Sequence, residues 1–285
     1  YILFLLLAST FWCCSNDEDV VPSNNDRNMF DMPDFSSEEE MKVRRDFYDA
    51  TSCYLIFNDS LYYRNITTPS GSDPECVILD LKYQVKGTSE DALLKDMKDK
   101  ELAAKFAKEK ILPRLAPAFY PYTFFMVDQF YISKASAWSS GYDPEVEQSA
   151  YAGYNASLVA YKHFYDMDEA AQYAYSRSVI AILMTKNYTQ VKDSEYNDFY
   201  QYSQEQYGIY PDYENTPLEV GFLETFRYDW VRSFYDKKYD LLAYVMEVFA
   251  LTKEEFDEKY DKELYPLVHQ KKEALVKIFE RLGTA

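Results

Sequence analysis

The stretch Asp168–Tyr188, DEAAQYAYSRSVIAILMTKNY, limits the fold more than any other part of this chain. Its run Val179-Ile180-Ala181-Ile182-Leu183-Met184 needs to be hidden from water. An apolar run this short also suits a buried strand. The alanines at 170, 171 and 174 and the overall length favour a central buried helix. Asp166 or Asp168 supplies its cap, because a short side-chain oxygen there accepts from the free N–H groups of the first turn.

Around this helix the sequence reads as α+β. Ser37-x-x-Glu40 is a capping box that opens a helix to about Ala50. Cys53–Phe57, Val77–Tyr83, Thr123–Asp128 and Asn155–Tyr161 have the composition of strands, and Tyr131-Ile132 extends the third. Pro69 to Pro74 and Ser139 to Glu147 are expected loops. Thr88-Ser89-Glu90-Asp91 is expected to start a second helix that stops before Pro113, with a solvated, lysine-rich face. Further on, Ser194–Gln206 is helical and ends at Gly208, and Thr216-Pro217 opens a short helix with Pro in its first turn. Tyr239–Leu251, a helix capped by Thr252-x-x-Glu255, and an amphipathic Leu264–Leu282 complete the chain. The expectation is a small mixed sheet from the first half packed with a predominantly helical second half.

The net charge of −18 leaves 30 basic residues against 48 acidic ones, which argues against a nucleic-acid partner. Gly is scarce at seven, and no Gly-rich phosphate loop is present. Tyr (29) and Phe (19) are abundant. Phe119, Tyr120, Tyr122, Trp138, Tyr142, Tyr207, Tyr210 and Tyr213 fall in expected loops, where rings stack on sugar faces; ordinary core packing is the competing use.

Tyr1–Trp12, YILFLLLASTFW, is too short to span a bilayer and matches the apolar core of a secretion signal. Cys13-Cys14 follow, then Ser15-Asn16-Asp17-Glu18-Asp19. A signal core that ends on Cys, before Ser and an acidic cluster, resembles a bacterial lipoprotein signal of the Bacteroidetes type. That resemblance implies a lipid anchor in the outer membrane, facing the cell exterior. Cys14 is the expected lipidated residue, because small Cys13 then fills the position before cleavage. Residues 1–14 form the signal segment on this reading. Residues 15–35 are a flexible acidic tether, and 36–285 are a single domain.

The order of the helices resembles a family of lipid-anchored zinc-binding metallopeptidases encoded beside glycan-uptake systems in Bacteroidetes. Thr252-Lys253-Glu254-Glu255-Phe256 and Gln270-Lys271-Lys272-Glu273-Ala274-Leu275-Val276-Lys277 follow that family's terminal pattern. Tyr239-Asp240-Leu241-Leu242-Ala243-Tyr244 stands where its D-F-A-E-like segment lies. The resemblance implies a zincin-like fold. It also implies H-E-x-x-H on the central helix, where two imidazoles one turn apart hold zinc and the Glu activates its water. Here those positions read Arg177-Ser178-Val179-Ile180-Ala181. Arg177 is a cation where a ligand belongs, Ser178 lacks a carboxylate, Ala181 has no ligand atom, and Tyr244 or Ala243 replaces the third ligand. The family's zinc is therefore expected to be absent, and the chain reads as a non-catalytic member.

Other chemistry is sparse. The two histidines are His163 and His269, and His163-x-x-Asp166-x-Asp168 is a bare motif that either caps a helix or meets a cation. Cys53 and Cys76 either pair in an oxidising compartment or stay as buried thiols. Neither has a local His to make a nucleophile. With 48 acidic residues, carboxylate pairs are inevitable and carry no information. The expected role is a surface binding or accessory protein in nutrient uptake, with a protein, peptide or glycan ligand. The alternatives are an active hydrolase with a non-standard site and an aromatic-lined glycan-binding lipoprotein.

Overall fold

The computed structural model describes residues 28, 30, 36–68, 71–79, 87–134, 146–187, 191–209, 216–223, 225–228, 231–234 and 236–284. Tyr1–Trp12 and Cys14 lie outside them, as do Trp138, Tyr142, Tyr210 and Tyr213. Helix α1 (Glu38–Thr51) starts where Ser37 Oγ accepts from the Glu40 N–H at 3.2 Å. The Glu40 carboxylate does not close the box. It accepts from Ser36 Oγ at 2.5 Å and Lys100 Nζ at 2.6 Å, which ties α1 to the next helix.

Strands β1 (Tyr54–Ile56), β5 (Thr123–Val127) and β9 (Ser157–Ala160) are parallel, and β8 (Ala150–Ala152) runs antiparallel to β9. They form one mixed sheet in the order β1-β5-β9-β8. Every residue of β5 is buried, as a strand covered on both faces must be. The two-residue period sorts its side chains: Phe124 and Met126 join Leu55 and Val159 in the main core. Phe125 and Val127 join Ile56, Leu158 and Ala160 in a smaller one. Phe30, within the stretch expected to be a free tether, is buried in that smaller core, and its carbonyl accepts from Arg44 Nη2 at 2.8 Å. The chain at Phe30 is thus held against the domain.

Strand pairing overturns several local expectations. β2 (Ser60–Thr68) and β3 (Gly71–Ile78) form an antiparallel hairpin, so Gly71 to Pro74 are strand where a loop was expected. The strand expected from Val77 ends at Ile78, and 80–86 lie outside the described residues. Thr88 to Asp91 belong to β4 (Gly87–Ala92), which pairs with β6 (Gln129–Lys134), itself paired with β7 (Val146–Glu147). A cap-like sequence here yields to a partner strand, since β structure is decided by cross-strand neighbours. Tyr131-Ile132 accordingly belongs to a separate three-stranded sheet and does not extend β5. Helix α2 (Met97–Phe106) begins after Asp96. It continues through a wide turn, Ala107–Ile111, and a tight one, Leu112–Arg114.

The central helix α3 (Glu169–Asn187) forms as its sequence requires, capped by Asp168, whose Oδ1 accepts from the Ala171 N–H at 2.8 Å. Val179, Ile180, Ala181, Leu183 and Met184 are buried, between β8 and α5 (Lys237–Ala250). Residues 193–203 are helical in three short turns, of which the middle one is α4 (Asn197–Tyr200). Helix α6 (Lys253–Lys259) carries the expected capping box between Thr252 and Glu255. Helix α7 (Pro266–Arg281) turns its apolar face inward before Gly283, which has φ +88°. A hairpin of β10 (Thr225–Tyr228) and β11 (Val231–Phe234) has no counterpart in the sequence reading. The architecture is α+β: a mixed four-stranded sheet in the first half and a mainly helical second half. Cys53 and Cys76 are both free thiols, and burial pushes the Cys53 thiol up to about 11. No helix among the described residues is long and apolar enough to cross a membrane.

Candidate functional site

The four positions singled out by the resemblance, Arg177, Ser178, Ala181 and Tyr244, face different neighbours. Arg177 reaches across to the C-terminal end of α5. There its Nε donates to Ala250 O and its Nη2 to Val248 O, both at 3.2 Å. A cation placed on the last carbonyls of a helix meets the negative end of its dipole. Ser178 Oγ lies 2.7 Å from Ser149 Oγ, toward the sheet. Ala181 is fully buried and offers only a methyl group. Tyr244 Oη donates to Gly221 O at 3.0 Å in a closed interior. Each of these positions serves a packing or hydrogen-bonding role toward a different neighbour.

His163 is exposed beside Asp99 and Asp128, at 4.0 and 3.8 Å, while Asp166 stays in its own short turn. His269 is buried, with Nε2 2.5 Å from Tyr260 O and Nδ1 3.6 Å from Asp257. Among the described residues no three His, Cys, Asp or Glu side chains gather as a metal group would. Of the loop aromatics, Phe119 lies in the main core, Tyr207 is half-buried and Tyr122 is exposed.

What Arg177 does border is a cleft of about 520 Å³ between α3, α5 and α7. Ile180, Val248, Phe249, Val276 and Phe279 make its apolar walls. On the rim the Tyr173 ring lies between two guanidinium groups, 5.1 Å from that of Arg114 and 5.5 Å from that of Arg177. Arg177 Nη1 donates to Tyr173 Oη at 3.1 Å, and Arg114 Nη1 donates to Ser176 Oγ at 3.4 Å. A guanidinium has five N–H donors, and Arg177 uses three on protein acceptors, so donors are left over for an anion. Glu280 and Thr284 close the other side. The Thr284 hydroxyl is buried and has no hydrogen-bond partner among the described residues. Such a group is costly to leave alone.

A second polar centre, which the sequence reading did not find, lies behind this region. Lys271 of α7 and Asp240 of α5 are both fully buried and 2.6 Å apart. Lys271 Nζ also donates to Gly221 O at 2.8 Å and Ser203 Oγ at 3.2 Å, and Tyr207 Oη donates to Asp240 Oδ2 at 2.7 Å. The rings of Phe199, Phe222 and Tyr244 stand 4.6–4.8 Å from the ammonium, within cation–π range. Gly221 has φ +83°, and a Cβ there would come within 2.9 Å of Ser203 Oγ. Burial lowers Lys271 to about 8, against the opposing pull of Asp240, and burial raises Asp240 and Tyr207. With both charges sealed from solvent, this centre fastens α7 to α5 and does not meet substrate.

A comparison with protein-family models, curated proteins and solved structures finds nothing that matches this chain.

Proposed function

We propose that this chain is a lipid-anchored outer-membrane protein, facing the exterior, that binds a nutrient-derived ligand and does not cut it. On this reading it is a zincin-like relative of the metallopeptidases whose helix turn 177–181 has exchanged its zinc ligands for a binding role. The observation that carries the proposal is the Arg177 guanidinium. It is pinned at the mouth of an apolar-walled cleft, where the resemblance puts the first histidine.

The ligand class follows from the lining. Two arginines around Tyr173 suit a carboxylate, and the walls of Ile180, Val248, Phe249 and Phe279 suit an apolar side chain next to it. Glu280 supplies an acceptor for an amide N–H. A peptide with a free carboxyl end and an apolar last residue combines these groups. A volume of about 520 Å³ falls in the range of roughly 300–1,000 Å³ common to small-ligand sites. Since the chain as a whole carries −18, capture of an anion depends on these short-range contacts and not on long-range attraction.

The test is a calorimetric titration of the full chain with acetyl-Ala-Leu-Phe as the free acid and as the amide. The acid is expected to bind about tenfold or more tightly than the amide, and Arg114→Gln is expected to remove that preference. Equal binding of acid and amide contradicts the carboxylate role. Hydrolysis of the peptide contradicts the binding role and favours a hydrolase, for which His163 with Asp99 and Asp128 would be the first residues to replace.

A further inference from the structure

We infer that the cleft at Arg177 takes short peptides with both ends free, the carboxylate held by Arg114 and Arg177 and the ammonium by Glu280. This deepens the binding role proposed above and rests on it. Of the described residues that line the cleft, these three carry charge. They come from three elements: the Leu112–Arg114 turn, α3 and the last turn of α7.

Two arginines and a glutamate that border one space could satisfy one another, and here they do not. None of the three has an ion-pair partner among the described residues. Arg177 is held by Ala250 O, Val248 O and Tyr173 Oη, and Arg114 donates to Ser176 Oγ at 3.4 Å. Glu255 senses the Arg177 charge, but its carboxylate accepts from the Thr252 N–H at 2.7 Å. On α7, Arg281 pairs with Glu195 at 2.9 Å and leaves its neighbour Glu280 exposed at the cleft. The last turn of a helix is its negative end, which adds to the pull of Glu280 on a cation.

Unpaired charges of both signs around an apolar floor match a ligand that carries both. A free peptide is such a ligand, since it has a planar carboxylate for the guanidinium groups and an ammonium for Glu280. Between the charges, Phe249 and Phe279, with ring centroids 5.1 Å apart, and Val276 offer apolar contact to its side chains. Two or three extended residues span about 7–10 Å, a length suited to a cleft of about 520 Å³. A longer peptide carries its ammonium beyond Glu280 and keeps the carboxylate contacts alone. The reaction that must supply this ligand is hydrolysis of peptide bonds down to short fragments.

The test is calorimetric titration of the full chain with Ala-Leu-Phe, acetyl-Ala-Leu-Phe and acetyl-Ala-Leu-Phe amide. Ala-Leu-Phe is expected to bind about fivefold more tightly than its acetylated form, the effect of one partly screened ion pair. Glu280→Gln is expected to remove that gain, and because Glu280 is exposed the variant should melt like the parent. The gain is also expected to fade as pH rises past the α-amino pKa of about 8, where the ammonium loses its charge. Equal binding of Ala-Leu-Phe and its acetylated form, with the acid still preferred over the amide, overturns this inference and leaves the carboxylate role standing. Equal binding of acetylated acid and amide overturns both. A gain that survives Glu280→Gln overturns the role of Glu280, because the amine then meets another group.

Discussion

Lys271 ties together three elements of the helical half. Its ammonium is hydrogen-bonded to Asp240, Gly221 and Ser203 with no solvent contact. Removal of one member of a buried ion pair leaves the other uncompensated and costs about 3–5 kcal/mol, whereas loss of both together is far milder. Lys271→Met alone is therefore expected to lower stability by about that amount, and Lys271→Met with Asp240→Leu to recover much of it. Urea denaturation of the three variants against the parent measures this. A Lys271→Met variant as stable as the parent would show that the pair contributes nothing. The sequence does carry a trace of this centre. Lys271 occupies an inward position of α7, in step with Val268, Leu275 and Ile278, where an apolar residue is expected. Read within Gln270-Lys271-Lys272 it looks like surface charge, and its partners come from sequence-distant turns that no local pattern announces.

At the scale of elements, the boundaries set by local physics were readable and those set by distant pairing were not. The α6 cap shows the first kind: Thr252 Oγ1 accepts from the Glu255 N–H at 3.1 Å, and the Thr252 N–H donates to Glu255 Oε2 at 2.7 Å. The Thr252 N–H holds Glu255 below its ordinary 4.5, and Lys253, then Lys272, hold Asp257 below 3.8. The folded chain binds these two protons more weakly than the unfolded chain. The stabilisation is complete above the ordinary values and is lost as pH falls through the lowered ones. The urea midpoint is expected to drop between about pH 5 and pH 3, and Asp257→Asn to flatten that drop. A midpoint in Asp257→Asn that falls as steeply as in the parent would contradict this account of the Asp257 ion pairs. The second kind is shown by Thr88 to Asp91, whose Thr-x-Glu pattern looks like a helix start. Six residue pairs with β6 fix it as a strand instead. Gly71 to Pro74 likewise gain their strand from β2, against their own low propensity.

Over the whole molecule, two cores flank one sheet, and the central helix joins that sheet to the helical half. The α+β layout was legible because the apolar run of α3 and the fully buried β5 leave few other arrangements. Arg177 stood out in the sequence because the resemblance expects a histidine at its position. Its setting did not, since Arg114, Phe249 and Thr284 reach the cleft from three separate elements. The central claim is that the turn Arg177–Ala181 serves binding and has no part in metal chemistry. The most direct measurement is the zinc content of the purified full chain, by elemental analysis after equilibration with zinc and exhaustive dialysis. The account predicts far less than one zinc per chain. One tightly held zinc per chain would contradict it.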